Sequence, residues 1–191
     1  RNRIARLSKE NGVGRYVLAS SASIYGQQDN VANENSSVKP LTTYSKANHN
    51  AEIDNLLLND DNFTVTALRF SSIYGVSPRM RFDTAVNKMV LDLFSKREIS
   101  VSGKENKRPF IFIKDAVKAY LTIINAPKDK INGQIFNVGS DDQNFTMGDL
   151  ANKIVDSIGE SCKINIQGTN DHRSYFASFE STPVIIISQI S

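Results

Sequence analysis

The stretch Ala19-Ser20-Ser21-Ala22-Ser23-Ile24-Tyr25-Gly26 gathers hydroxyls at the end of a short strand pattern, Arg15-Tyr16-Val17-Leu18-Ala19-Ser20. In an open α/β sheet the carboxyl ends of parallel strands meet the ligand crevice, so hydroxyls placed there can hydrogen-bond a substrate. The plainer alternative is a Ser-rich turn whose hydroxyls satisfy only local backbone groups. A second stretch, Pro40-Leu41-Thr42-Thr43-Tyr44-Ser45-Lys46-Ala47-Asn48-His49-Asn50-Ala51-Glu52, puts a tyrosine near the start of a helical pattern. Metal chemistry has no comparable support. The chain has two histidines, His49 and His172, one cysteine, Cys162, and no cluster with ligand spacing.

The elements that must position these groups alternate between strand and helix patterns through residues 1–168, the signature of a parallel α/β sheet. Residues 27–40 are polar and read as a surface loop, followed by a helix from about Thr43 to Leu58. Phe63–Phe70 is a strand of residues that suit a pleated surface. Asp83-Thr84 precedes Ala85, Val86, Met89, Val90, Leu93 and Phe94, one apolar face at helical spacing. Asp115 is expected to cap a helix carrying Val117, Tyr120, Leu121 and Ile124. Thr146-Met147-Gly148-Asp149 resembles a capping box before Leu150, Ile154, Val155 and Ile158. Pro109–Ile113 and Gln134–Val138 read as short buried strands.

A chain of 191 residues, 40% hydrophobic and 23% charged, fits one ordinary soluble α/β domain. Its net charge of +3 is spread without a like-charged block, so nothing points to nucleic acid or a membrane surface. A single cysteine cannot form an internal disulfide, which suits a reducing cytoplasm. No apolar stretch is long enough to span a bilayer, and no signal-peptide pattern is present. The chain opens without Met inside a helical pattern and finishes in the uncharged β-branched run Pro183–Ser191. These ends read as those of a fragment with an aberrant tail over 181–191, expected to fold poorly alone because an unpaired sheet edge would be exposed.

The order of motifs resembles the extended short-chain dehydrogenases of the NAD-dependent epimerase/dehydratase type. The pattern Ser-Ser-x-x-x-Tyr-Gly over 20–26 is followed by Pro-x-x-x-Tyr over 40–44, with Glu52 eight residues on. Leu68-Arg69-Phe70-Ser71-Ser72-Ile73-Tyr74-Gly75, then Gly103 with Arg108–Ala116, then Phe136-Asn137-Val138-Gly139-Ser140 and Asp171–Tyr175, are similar to later family elements. The resemblance implies a Rossmann-type sheet lacking its N-terminal strands, with a small α/β substrate domain. The expected division is 1–75 for the later part of the NAD-binding domain and 76–180 for a mostly substrate-binding region that returns once to the sheet.

The resemblance also implies roles. Ser21 would hydrogen-bond the reacting sugar oxygen and Tyr44 would be the general acid/base for hydride transfer to or from NAD, NADP remaining open. Ser20, Tyr44 and Asn48 would meet the cofactor; Ser23, Ser72, Asn87, Arg108 and Arg173 would meet a nucleotide-sugar substrate, the arginines at its diphosphate. A surface ion pair is the alternative for Arg108. Ala22 and Ser23 stand where the family's dehydratases usually carry an acidic pair, which favours epimerase or reductase chemistry over 4,6-dehydration. A homodimer is expected for the full-length protein.

Two departures bear on activity. The family's catalytic Lys position, four residues after the Tyr, is Asn48, and Lys46 points to nearly the opposite side of the helix. A tyrosinate near neutrality needs help, and a cation about 5 Å away at an effective dielectric of about 20 would supply roughly 3 kcal/mol. A Gly-rich phosphate turn is also missing, since Gly12-Val13-Gly14 precedes a strand and is in the wrong context. A catalytically impaired relative kept for binding or scaffolding is therefore the alternative. An RNA-binding member of the same fold lacks any basic-aromatic patch.

Overall fold

The computed structural model describes residues 1–159, 161–168 and 174–179. Helix α1 (Asn2–Glu10) leads into strand β1 (Arg15–Ser21) and a 3₁₀ turn, Ala22–Tyr25. Helix α2 (Thr43–Leu56) and strand β2 (Thr64–Phe70) follow, then β3 (Ser72–Tyr74), α3 (Ala85–Lys96), β4 (Glu98–Ser102) and β5 (Lys107–Phe112). The rest is α4 (Ile113–Asn125), the short α5 (Lys128–Ile131), β6 (Ile135–Val138), β7 (Asn144–Thr146), α6 (Met147–Ile158) and β8 (Lys163–Gln167).

Three parallel strands in the order β1-β2-β6 form the central sheet. Side chains alternate across it, as the period of two requires. Leu18, Ala67 and Ile135 face Ala51 of α2, whereas Val17, Leu68, Phe70, Phe136 and Val138 pack with Ala116, Ala119 and Ile123 of α4. Helices thus cover both faces, and every residue of β2 is buried. Arg15 ties the end of α4 to β1 by donating to the carbonyls of Ile123 (2.9 Å), Ile124 and Ala126 (3.0 Å). A cation suits the negative end of a helix.

A second core joins α3, β4, β5 and α6 through Met89, Leu93, Ile99, Val101, Phe110, Leu150 and Ile154. Strands β4 and β8 pair in parallel, while β5 lies between β3 (parallel) and β7 (antiparallel). The elements foreseen from sequence are present, with α4 differing at its start. Asp115 is not the cap of α4, because β5 passes directly into the helix at Ile113. Its carboxylate lies in the first turn, where it suits the helix's positive end and pairs with Lys118 at 3.3 Å. Thr146 does cap α6, its hydroxyl accepting from the Asp149 N–H at 3.1 Å.

Candidate active site

The carboxyl ends of β1, β2 and β3, the start of α2 and the 75–87 segment surround a cavity of about 710 Å³. Of the residues expected at the site, Ser20, Ser21, Ser23, Tyr44, Ser72, Asn87 and Arg108 line it. Asn48 lies one turn along α2 and lines an adjoining cavity that also includes Tyr44 and Arg1. Arg173 falls outside the described residues.

Local sequence explains how each group is held. At the N-terminus of α2, Thr42 and Ser45 form a reciprocal capping box, with the Ser45 N–H donating to Thr42 Oγ1 (3.1 Å) and the Thr42 N–H to Ser45 Oγ (2.9 Å). This leaves Tyr44 in the first turn, with 58% of its surface exposed toward the cavity side. Ser21 caps the 3₁₀ turn, its Oγ accepting from the Ser23 N–H at 3.2 Å and lying 2.9 Å from Ser23 Oγ. Gly26 and Gly75, the glycines of the two Tyr-Gly pairs, have φ of 68° and 114°. A Cβ at Gly26 would stand 2.0 Å from the Lys39 carbonyl oxygen, and one at Gly75 would stand 2.5 Å from the Phe112 ring.

Several expected site residues already have partners. Asn48 is 1% exposed; its amide donates to the Tyr44 carbonyl at 2.8 Å, and its oxygen accepts from the Arg1 guanidinium. Lys46 is exposed. Asn87 accepts from the Gly75 N–H (3.0 Å) and donates to the Arg81 carbonyl (2.8 Å), fastening both ends of the 75–81 loop over the cavity. Ser20 gives its hydroxyl to the Glu52 carboxylate. Arg108 donates to the Lys107 carbonyl at 2.9 Å and lies 5.8 Å from the centre of the Tyr175 ring.

The cavity's charge is one-sided. Arg1, Arg79, Arg81 and Arg108 line it, and no Asp or Glu does among the described residues. Arg79 and Arg81 were not expected from sequence; their place after Gly75 in a loop beside the motif strand was the available signal. Arg81 holds Asp83 in a two-pronged contact of 2.7 and 3.0 Å, which lowers the Asp83 carboxyl below its ordinary value. Burial raises the Tyr74 hydroxyl, and the negative charges of Asp115 and Asp142 raise it further. No cluster of three or more His, Cys, Asp or Glu that could hold a metal ion exists among the described residues. No helix there is long and apolar enough to cross a membrane.

The model of the NAD dependent epimerase/dehydratase family matches residues 1–139. The chain belongs to that family. Among curated family relatives, it is 26% identical over 139 residues to the uncharacterised UDP-glucose epimerase YtcB of Bacillus subtilis, matching 72% of this chain and 43% of that protein. It is likewise 26% identical over 179 residues to the dTDP-D-glucose 4,6-dehydratase of Homo sapiens, matching 86% of this chain and 49% of the relative. The chain thus spans about half the length of these relatives. The fold matches that of a UDP-glucuronic acid 4-epimerase from Bacillus cereus, solved with UDP-glucuronic acid and NAD, with TM-score 0.85, 18% identity, and coverage of 100% of this chain and 60% of that one. It also matches MoeE5 in complex with UDP-glucuronic acid and NAD, with TM-score 0.83, 23% identity, and coverage of 95% and 61%. The parallel sheet with helices on both faces is the Rossmann-type architecture of this family.

Proposed function

We propose that the chain carries the proton-transfer part of an NAD-dependent enzyme acting on a nucleotide sugar, with epimerase or reductase chemistry favoured over 4,6-dehydration. The observation that carries this reading is the meeting of Ser21 and Tyr44 on one cavity lined by four arginines and no carboxylate. Guanidinium groups suit a diphosphate, and the surrounding hydroxyls suit a sugar ring. In this reading Ser21 holds the reacting sugar oxygen, and Tyr44 removes and returns its proton. Ser23 and Ser72 meet the sugar, Asn87 holds the loop above it, and Arg108 with Arg173 grips the diphosphate. Residues 1–75 with β6 form the nucleotide-binding part, and much of 76–180 the substrate part.

The residues present fit the nicotinamide end of NAD or NADP. Ser71 Oγ, at the end of β2 on the same cavity, is buried and has no hydrogen-bond partner, a poor arrangement unless a polar group reaches it. Ser20, Tyr44 and Asn48 would hold the nicotinamide ribose. Residues 1–191 contain no Gly-rich turn for the pyrophosphate. When bound, the cofactor supplies hydride exchange with the sugar carbon.

Elimination of water calls for an acid and a base beside the leaving group. Here Ala22 is buried and Ser23 is bonded to Ser21, so the positions that would hold an acidic pair supply none. Asn48 favours a second reading, a relative that binds without turnover, because its amide cannot supply the cation a tyrosinate needs. The test is to give the full-length protein NAD and UDP- or dTDP-hexoses and identify products by NMR. An epimerised or reduced sugar is expected; a 4-keto-6-deoxy product would overturn the chemistry, and binding without conversion would establish the second reading. A homodimer through α1 and α2 is part of this proposal. Ile4, Leu7 and Ile53 are exposed on those helices, and Leu57, just past the end of α2, is 78% exposed.

A further inference from the structure

We propose that the buried Glu52–Arg69 pair is a positioning device for the reaction, setting the Tyr44 helix in register with the strand end that carries Ser21; this rests on the functional reading above. Ser20, Arg69 and Asn137 occupy matched positions on the three parallel strands β1, β2 and β6. Alternation turns all three toward α2, and Ser21, Phe70 and Val138 form the next row. A row of three polar side chains inside a sheet face calls for a partner, and Glu52 supplies it. Its Oε1 accepts from Ser20 Oγ and from Arg69 Nε at 3.1 Å, and its Oε2 accepts from an Arg69 terminal nitrogen at 2.8 Å.

The remaining arm of Arg69 extends the network to the 3₁₀ turn and the loop beyond it. It donates to Tyr25 Oη (3.0 Å) and the Glu34 carbonyl (3.3 Å), and Tyr25 Oη donates to Asn137 Oδ1 (2.7 Å). The Asn137 N–H closes the circuit on Glu34 Oε1 at 2.8 Å. Burial alone would lower Arg69, yet its bonds to Glu52 and Tyr25 hold it above its ordinary value; burial raises Tyr25, which stays a neutral donor. Glu52 and Arg69 are 2% and 4% exposed.

Stability alone does not account for this pair, since buried ion pairs are often no more stable than apolar residues of the same volume. The make-up of α2 shows what it does. The buried residues of α2 are Ser45, Asn48, Ala51, Glu52 and Asn55, so only Ala51 is apolar. An apolar stripe would lock a helix by interdigitation, but this face is located by directional bonds. Asn55 donates to Asn2 Oδ1 at 2.9 Å, Asn48 accepts from Arg1, and Glu52 is clamped to the sheet by a guanidinium fork. Glu52 lies eight residues along the same rigid helix from Tyr44, about 12 Å at 1.5 Å per residue, so an axial slip at Glu52 is passed to Tyr44 undiminished. Misplacement of a catalytic group by about 1 Å can cost about 10²-fold in rate.

The experiment compares Glu52→Gln, Arg69→Gln and the double variant in the full-length protein with NAD bound, measuring kcat, KM for the nucleotide sugar and the thermal midpoint. Each single variant leaves a buried charge unpaired and should lower the midpoint; the double variant should regain most of it. The expected result is a double variant near the parental midpoint and KM, with kcat still about 10- to 100-fold down. Recovery of kcat together with the midpoint would show a merely structural pair and overturn the proposal. Should the double variant not fold, Tyr25→Phe removes one of Arg69's hydrogen bonds without stranding a charge and outside the cavity lining: a several-fold fall in kcat at unchanged KM supports the proposal, and parental kcat overturns it. A parent that converts no nucleotide sugar refutes the functional reading instead. In that case hydrogen exchange in the first turns of α2, Tyr44–Asn48, decides: faster exchange there in Tyr25→Phe supports positioning, and unchanged exchange overturns it.

Discussion

Replacing Asn48 by Lys probes the proposed dependence of Tyr44 on a cation one helical turn away. Residues four apart on a helix have Cβ atoms about 5–6 Å apart, and Asn48 is bonded to the carbonyl of Tyr44 one turn earlier. An ammonium about 5 Å from a tyrosinate stabilises it by about 3 kcal/mol at an effective dielectric of about 20, which is about 10²-fold in rate if proton transfer limits turnover. The structure reduces that figure for the single variant. Position 48 is 1% exposed and faces the Arg1 guanidinium, so burial and a like charge both oppose the new ammonium. Asn48→Lys alone is expected to raise kcat about tenfold or less, and Asn48→Lys with Arg1→Gln to approach about 10²-fold. The assay is steady-state turnover of a nucleotide sugar across pH 6–9, with NAD and substrate affinities measured in parallel. Parental turnover in both variants, at parental affinities, would refute the electrostatic argument.

Further predictions concern backbone strain and surface charge. Gly75→Ala should cost about 2–3 kcal/mol in denaturant titration because of its backbone angle and because the added Cβ would stand 2.5 Å from the Phe112 ring. Gly12→Ala, at φ 73° with open space around it, should cost about 1 kcal/mol; equal costs at the two sites would refute the steric account. The Lys9 ammonium at 2.7 Å and the N–H groups of Asn62 and Phe63 lower Asp60 from 3.8 to about 2. A depressed carboxyl contributes stability above its unfolded pKa and loses it as pH falls through the folded one. The stability difference between the protein and Asp60→Asn should therefore shrink as pH falls from 4 to 2, and a constant offset would contradict this.

Much of the candidate site's lining could be read in the sequence because it sits at strand ends and helix starts, where residue order has local meaning. Ser21 and Tyr44 are recognisable from their flanking motifs, and the two Tyr-Gly pairs mark turns at positive φ that leave no space for a Cβ. What sequence did not show depends on distant partners. Strand β2 reads as a strand from its β-branched and apolar residues, but nothing local shows that Arg69 is buried within it, with Glu52 arriving from α2 and Tyr25 from the turn after β1. Strands β4 and β8 are five residues each, separated by α4, β6 and α6 among other elements, so neither signals its partner. The Asp115 expectation failed because a strand running straight into a helix leaves no loop for a cap. Tyr175 reaches Arg108 from a late segment with no periodic pattern, a contact that depends only on the assembled fold.

In the proposed reaction Tyr44 moves the proton for a nucleotide sugar held beside Ser21. This role is tested most directly by the turnover of UDP- and dTDP-hexoses by the full-length protein and its Tyr44→Phe variant, with NAD present and binding measured separately. The expected result is conversion by the protein and a fall of about 10²- to 10⁴-fold in kcat for the variant, with nucleotide-sugar affinity nearly unchanged. Undiminished turnover by Tyr44→Phe would contradict it.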